Sequence, residues 1–224
     1  MSEQVVRFSK SGKVGTILLN RPPANSYDTA FMKELSLSID AAEAEGDVRV
    51  VVLKSSSEKF FCAGADIKAF IANNKADNMQ LIYTGHATLS RMAASDKIYI
   101  AAINGHAMGG GLEIALACDL RLAKEGRYFL ALPEVTLGLL PGNGGTQRLT
   151  RLIGASRALE LMITGGRVDP QQALDVGLVN KLFPAESFDE EVQSYVENLS
   201  NGASVAIANI KRAVFDGIGV SLEA

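Results

Sequence analysis

Two nearly continuous apolar segments constrain the fold of this chain more than any other feature. Val48–Leu53 and Ile98–Ile103 consist almost entirely of apolar residues, a pattern typical of strands that are buried on both faces of a sheet. Amphipathic helices are predicted before the first segment, at Thr29–Gly46, and between the two, at Asn78–Ala94. Because strands and helices alternate, we expect an α/β fold with a largely parallel sheet.

The remaining pattern divides the chain into a mixed part and a mainly helical part. A hairpin is predicted at the start, from Val5–Ser9 and Val14–Leu19, with consecutive prolines after it. We expect a core over residues 1–166 and a mainly helical region over residues 167–224. Further helices are predicted at Leu112–Cys118, Thr146–Ile153, Ser156–Thr164, Pro170–Gly177, Ser187–Leu199 and Ser204–Phe215, and further β segments at Asp119–Ala123, Phe129–Pro133 and Leu178–Phe183.

Charge and composition exclude several classes of protein. The chain has 22 basic and 25 acidic residues and a formal net charge of −3, so no basic excess indicates nucleic-acid binding. Two separated cysteines and two histidines provide neither a disulfide framework nor a paired metal-ligand motif, and we expect no metal site. No secretory signal or membrane-spanning segment is predicted. We therefore expect a soluble, cytoplasmic protein with no membrane partner, although a processed mitochondrial matrix protein would look the same.

Glycine-rich turns are the most informative local feature of the sequence. The turn at Gly105–Gly111 follows a buried strand and opens a helix, but it lacks the Lys-Ser/Thr ending of a nucleotide P-loop. The turn at Gly142–Gln147 lacks the third glycine of a dinucleotide-binding loop. Free N–H groups at a helix N-terminus stabilise negative charge. With a second small-residue turn at Phe61–Asp66, they are suited to form an oxyanion hole.

Two glutamates accompany these turns. Glu113 lies in the first turn of the helix that the glycines open, and Glu134 follows a β segment and a proline. Each alone is typical of a solvated surface residue, and a first-turn glutamate commonly stabilises the helix dipole. Together, beside an oxyanion site, two carboxylates can handle a water molecule and a proton. No GxSxG nucleophile is present, Cys62 is expected to be a small buried residue, and His106 to be part of a loop.

The glycine turns and glutamates lie in three strings that resemble the crotonase, or enoyl-CoA hydratase/isomerase, superfamily. The strings are FCAGADI at Phe61–Ile67, INGHAMGGGLE at Ile103–Glu113, and LPEV at Leu132–Val135 followed by LLPGNGGTQRL at Leu139–Leu149. Their order and spacing also match, and the resemblance extends from about Val5 to the end of the chain. It implies a spiral core of repeated ββα units and a helical C-terminal region that forms a homotrimer or a homohexamer.

The resemblance also assigns roles to individual residues. Ala65 and Gly110 match the positions whose backbone N–H groups hold the thioester oxygen, and Glu113 and Glu134 match the two catalytic glutamates. Ala65, Asp66, Ile67 and Lys68, together with Gly110, match the segments that bind the CoA substrate. No cofactor is implied, because CoA is part of the substrate.

Retention of both glutamates resembles hydratases that add water syn to a 2-trans-enoyl-CoA. A Δ3-Δ2-enoyl-CoA isomerase and a non-catalytic acyl-CoA-binding subunit are the alternatives. Asn25-Ser26-Tyr27 stands where relatives more often have Asn-Ala-Leu. Chains of this family usually continue through further C-terminal helices, so we expect the C-terminal region to be incomplete here. Ser221–Ala224 is predicted to begin a helix.

Overall fold

The computed structural model describes residues 4–221. In chain order, its strands are β1 (Val6–Ser11), β2 (Val14–Leu19), β3 (Val50–Ser55), β4 (Phe60–Cys62), β5 (Ile98–Ile103), β6 (His106–Met108), β7 (Leu120–Lys124), β8 (Leu130–Ala131), β9 (Arg167–Val168) and β10 (Lys181–Phe183). Its α-helices are α1 (Thr29–Ala44), α2 (Ile67–Ala72), α3 (Lys75–Ala94), α4 (Gly110–Ala117), α5 (Gly145–Ile153), α6 (Ala155–Thr164), α7 (Pro170–Asp175), α8 (Phe188–Ser200) and α9 (Ser204–Gly217).

The strands form two sheets, and from β3 to β8 successive strands of the chain belong to the larger and the smaller sheet in turn. The larger sheet has the order β1-β2-β3-β5-β7-β10, and the smaller has the order β4-β6-β8-β9. The antiparallel pairs are β1 with β2 and β8 with β9, whereas the other pairs are parallel. From β3 onward, each ββα unit contributes one strand to each sheet before its helix. The predicted α/β fold with repeated ββα units is confirmed.

The core lies on both faces of the larger sheet, as the apolar segments require. Every residue of β5 is buried, and so is the apolar part of β3. One face packs with α1, α3 and α4, and all eight residues of α4 are buried. The opposite face packs against α8 through residues such as Phe188 and Val192. The helix α4 is therefore held in the interior, and its first turn borders a cavity.

Several short elements differ from the sequence predictions. The strands β4 and β6 have three residues each and α2 has six, too few for a hydrophobic period to be visible. The predicted β segment at Phe129–Pro133 contains only β8, and a 3₁₀ turn follows at Glu134–Leu137. The helix predicted from Asn78 begins at Lys75, because the Asn74 side chain caps a polar first turn.

The region after residue 166 is mainly helical but also contributes β9 and β10 to the two sheets. The division at residue 166 stays a prediction. Most of α9 is exposed, and Lys211 is its one buried residue. Of the helix start predicted at Ser221–Ala224, residues 222–224 lie outside the described part of the chain. Within residues 4–221, no helix combines the length and the apolar character needed to cross a membrane.

Candidate active site

Three neighbouring strands of the smaller sheet end beside one cavity. The strands β4, β6 and β8 are adjacent and parallel, so their carboxyl ends lie at the same edge. The segments that follow them contain Ala65, Gly110 and Glu134, respectively. A cavity of about 280 Å³ is lined by these three residues and by Glu113 from α4. The four residues predicted to carry the chemistry therefore meet in one place.

The turn after β4 directs the Ala65 amide toward the cavity. Tyr27 N–H donates to Gly64 O at 2.9 Å, and Asp66 N–H donates to Tyr27 O at 2.8 Å. Because this parallel bridge uses the residues on either side of Ala65, the Ala65 N–H points to the opposite side. It has no hydrogen-bond acceptor among residues 4–221.

The second amide belongs to the first residue of α4. Gly109 precedes it with φ +53° as the helix cap, and the Gly110 N–H has no acceptor within the described chain, as expected at a helix N-terminus. The two turns are in contact, since a Cβ added to Gly64 would lie 3.2 Å from Gly110 N. Two unpaired amides in contacting turns at the edge of one cavity can stabilise a developing negative charge.

Glu113 is held by the third glycine-rich turn. Its side chain is 1% exposed, and Oε1 accepts hydrogen bonds from Asn143 N–H at 2.7 Å and Gly145 N–H at 2.8 Å. Burial raises the pKa of Glu113 above its ordinary value, and the two backbone donors and the nearby Arg148 guanidinium offset only part of this increase. The Gly142–Gln147 turn thus fixes one oxygen of the buried Glu113 carboxylate.

Glu134 has a different environment. Its Oε1 lies near Gly109, where an added Cβ would be 3.1 Å away, and its Oε2 is buried with no hydrogen-bond partner among the described residues. Burial raises the pKa of Glu134 to about 7, and the negative charge of Glu113 adds to the increase. The cavity therefore contains one carboxyl group that accepts hydrogen bonds from two backbone donors and one that is partly protonated near neutrality.

The predicted CoA-binding segment divides into two parts. Ala65 and Ile67 line the cavity. Asp66 instead caps α2, with its Oδ1 accepting from Lys68 N–H and Ala69 N–H. The Lys68 side chain is exposed outside the cavity. CoA binding by these four residues stays a prediction.

Sequence reasoning missed two polar residues of the cavity wall. Tyr27 and Asn143 are each 4% exposed and both line the cavity, where Asn143 Nδ2 donates to Tyr27 Oη at 2.8 Å. Asn143 lies inside a glycine-rich turn, which was a usable signal. The hydrogen bond between them joins residues 116 positions apart, so no local sequence pattern predicts it.

The family model for enoyl-CoA hydratase/isomerase matches residues 9–222. The chain belongs to the enoyl-CoA hydratase/isomerase family. A relative from Clostridium acetobutylicum named short-chain-enoyl-CoA hydratase is 36% identical over 219 residues, covering 97% of this chain and 84% of the relative. The 2,3-dehydroadipyl-CoA hydratase of Escherichia coli is 35% identical over 225 residues, covering 100% of this chain and 86% of the relative.

Solved structures of the enoyl-CoA hydratase/isomerase family share the fold. An enoyl-CoA hydratase from Geobacillus kaustophilus is 42% identical with a TM-score of 0.96, over 100% of this chain and 84% of that one. One from Bacillus anthracis is 38% identical with a TM-score of 0.94, over 98% and 86% of the two chains. The chain is an enzyme of this crotonase-fold family, whose members act on acyl-CoA thioesters.

Cys62 and His106, the other side chains considered from the sequence, lie away from the cavity. Cys62 is fully buried, and burial raises the pKa of its thiol to about 12, so it is not a thiolate near neutrality. His106 lies in β6 rather than in a loop, and its Nδ1 accepts from Phe129 N–H at 3.1 Å. Neither residue lines the cavity.

Proposed function

We propose that this enzyme adds water syn to a 2-trans-enoyl-CoA and releases a 3-hydroxyacyl-CoA. The observation that carries the proposal is the content of one cavity: two backbone amides without an acceptor among residues 4–221, a carboxylate held by donors, and a carboxyl group with a pKa of about 7. Hydration of an activated alkene requires all three functions. A cytoplasmic location is part of the same proposal.

The two amides would activate the substrate. The N–H groups of Ala65 and Gly110 bind the thioester oxygen and draw electrons from the double bond, which makes C3 electrophilic. As the enolate forms, negative charge accumulates on that oxygen and the two hydrogen bonds strengthen. Losing one donor of this kind costs about 3–4 kcal/mol in activation free energy.

The two glutamates would divide the handling of water and proton. Glu113, with one oxygen held by Asn143 and Gly145, orients the water and takes its proton as the oxygen bonds to C3. Glu134 delivers a proton to C2. Its pKa of about 7 supports this role. The two carboxyl groups titrate as a coupled pair, so the proton is shared between them. The chemistry uses carboxylates and amides of this chain, and CoA enters as part of the substrate, so no cofactor is included in the proposal.

The test is the hydration of crotonyl-CoA by the wild type and by Glu134→Gln. We expect kcat to fall by about 10²–10⁴ in the variant, the contribution of general acid–base catalysis. Glu190→Gln is the matched control, because Glu190 is exposed on α8. A Glu134→Gln variant within about tenfold of wild type would show that Glu134 is not the acid.

Δ3-Δ2-enoyl-CoA isomerisation is the second candidate. The pKa of about 7 favours it too, since a carboxyl group that is partly ionised near neutrality can both take and return a proton. Incubation with a 3-enoyl-CoA separates the two reactions. Double-bond migration that outpaces hydration would assign isomerisation as the main activity.

We propose further that the enzyme assembles as a homotrimer or a homohexamer. The support is exposed apolar surface on α9, where Ile210 and Val214, about one helical turn apart, are 63% and 56% exposed. Apolar side chains exposed on one side of a helix are typical of a protein–protein contact.

A further inference from the structure

Tyr27 contacts both oxyanion turns of the proposed site. Its backbone forms the bridge that directs the Ala65 amide, through hydrogen bonds with Gly64 and Asp66. Its hydroxyl lies against the start of α4, because a Cβ added to Gly110 would be 1.9 Å from Tyr27 Oη. Burial raises the pKa of this phenol well above its ordinary value, so the group stays neutral.

Asn143 connects the same tyrosine to Glu113. Its backbone N–H donates to Glu113 Oε1 at 2.7 Å, and its side-chain Nδ2 donates to Tyr27 Oη at 2.8 Å. Asn143 is the single hydrogen-bond partner of the Tyr27 hydroxyl within residues 4–221. The Asn143 amide is confined on its other side by Gly85 of α3, where an added Cβ would be 2.4 Å from Oδ1.

We propose that the Tyr27–Asn143 hydrogen bond is a positioning link that fixes the two oxyanion amides relative to Glu113. Among the described residues of the cavity wall, these are the two side chains that hydrogen-bond to each other. Tyr27 is tied to the Ala65 turn, and Asn143 is tied to Glu113. A misplacement of about 1 Å between catalytic groups can cost about 10²-fold in rate. The inference rests on the proposed hydration, in which the amides and Glu113 act on one substrate.

The test is a double-mutant cycle with Tyr27→Phe and Asn143→Leu. Each change removes one end of the link, while the ring of Tyr27 and the backbone N–H of Asn143 are retained. We expect each single variant to lose at least about tenfold in kcat with KM within about twofold, since the link sets geometry rather than substrate affinity. The double variant should be no slower than the slower single variant.

Stability separates positioning from a purely structural role. Asn143→Leu leaves a buried hydroxyl without a partner, and adding Tyr27→Phe removes that hydroxyl, so the double variant should regain melting temperature. Its kcat should stay low. Recovery of kcat together with stability would overturn the proposal. So would a large loss in Tyr27→Phe with none in Asn143→Leu, which would mean that the hydroxyl acts on the substrate directly.

Two further measurements complete the experiment. Tyr99→Phe removes another buried tyrosine hydroxyl, one that donates to Glu43 outside the cavity, and should keep the wild-type kcat. The ultraviolet enolate absorbance of bound acetoacetyl-CoA reports the oxyanion amides without hydration. If the wild type fails to hydrate crotonyl-CoA, the proposed function fails. The link is then judged by whether Tyr27→Phe weakens that absorbance, and an unchanged or undetectable signal overturns it.

Discussion

Glu113 and Glu134 show how surroundings give one residue type two roles. Glu113 accepts two backbone hydrogen bonds, which favour its ionised form and oppose the effect of burial. Glu134 Oε2 is buried and has no donor among residues 4–221, so burial raises the pKa of Glu134 to about 7 although its own backbone N–H opposes the increase. The difference comes from the Gly142–Gln147 turn, which supplies donors to one glutamate only.

The raised pKa of Glu134 predicts a pH-dependent stability. Below its ordinary value of 4.5, the carboxyl is protonated in both the folded and unfolded chains. As pH rises from 4.5 to about 7, the unfolded chain loses this proton first, so the folded state loses stability relative to it. Glu134→Gln cannot ionise. We expect its melting temperature, relative to wild type, to be higher at pH 8 than at pH 4.5. Glu190→Gln should show no such change, and an equal difference at both pH values would contradict the raised pKa.

The Gly64 turn predicts a large cost for a single methyl group. Gly64 has φ +90°, and an added Cβ would lie 2.7 Å from Met108 O, a backbone atom. Gly64→Ala combines left-handed strain, about 1–3 kcal/mol, with a clash against β6. Gly177→Ala is the control, because Gly177 has φ +78° and open space around it. Denaturant unfolding should show the larger loss at Gly64, and equal losses would mean that the contact is unimportant.

At the scale of the element, α9 is anchored to the core by a buried cation. Lys211 Nζ donates to Asp119 Oδ2 at 2.9 Å and to the carbonyls of Met92 and Lys97 at 2.9 and 2.8 Å. These partners come from the end of α3, from the residue before β5 and from the residue before β7. Lys211 therefore ties this fourteen-residue helix to three segments of the core, and Ile207 adds an apolar contact.

Lys211→Met should detach α9. Removing one partner of a buried ion pair leaves an uncompensated charge on Asp119 and costs about 3–5 kcal/mol. Arg212→Ala, which breaks the neighbouring exposed pair with Asp96, should cost no more than about 1 kcal/mol. Hydrogen exchange should show loss of protection in α9 for Lys211→Met, whereas β5 stays protected. Similar behaviour of the two variants would refute the anchoring role.

The sequence predicts the elements that have a clear hydrophobic period. The buried strands β3 and β5 and the helix after the Gly105–Gly111 turn are found within a few residues of their expected positions. Strands of three residues and the early start of α3 carry no such period, because polar caps and tertiary pairing determine them. At the site, the glycine turns and glutamates were visible in sequence. The Tyr27–Asn143 contact was not, since it depends on how distant segments pack.

At the scale of the whole molecule, α9 carries one of several exposed apolar surfaces. Ile210, Val214 and Phe215 are between 47% and 63% exposed, whereas Ile207 and Lys211 of the same helix contact the core. Burying each such side chain in a contact between subunits would contribute about 1.5–3 kcal/mol.

The assembly proposal predicts a concentration-dependent mass. Light scattering of the wild type should give three or six times the 23.8 kDa of one chain. Ile210→Glu with Val214→Glu should lower the mass by placing charge in the contact. Asn209→Glu adds charge at an exposed polar position of the same helix and should change the mass little. A monomeric wild type at high concentration would exclude the assembly.

The cavity wall can form only after distant parts of the chain have come together. Its residues come from positions as early as Tyr27 and as late as Asn143. A chain in which only neighbouring segments have associated would contain every catalytic side chain and still have no place to bind a substrate. Turnover would appear only after long-range loops have closed, the slow part of forming such topologies. The regain of activity after dilution from denaturant would therefore report the formation of this cavity. Circular dichroism, which follows secondary structure, does not isolate that event.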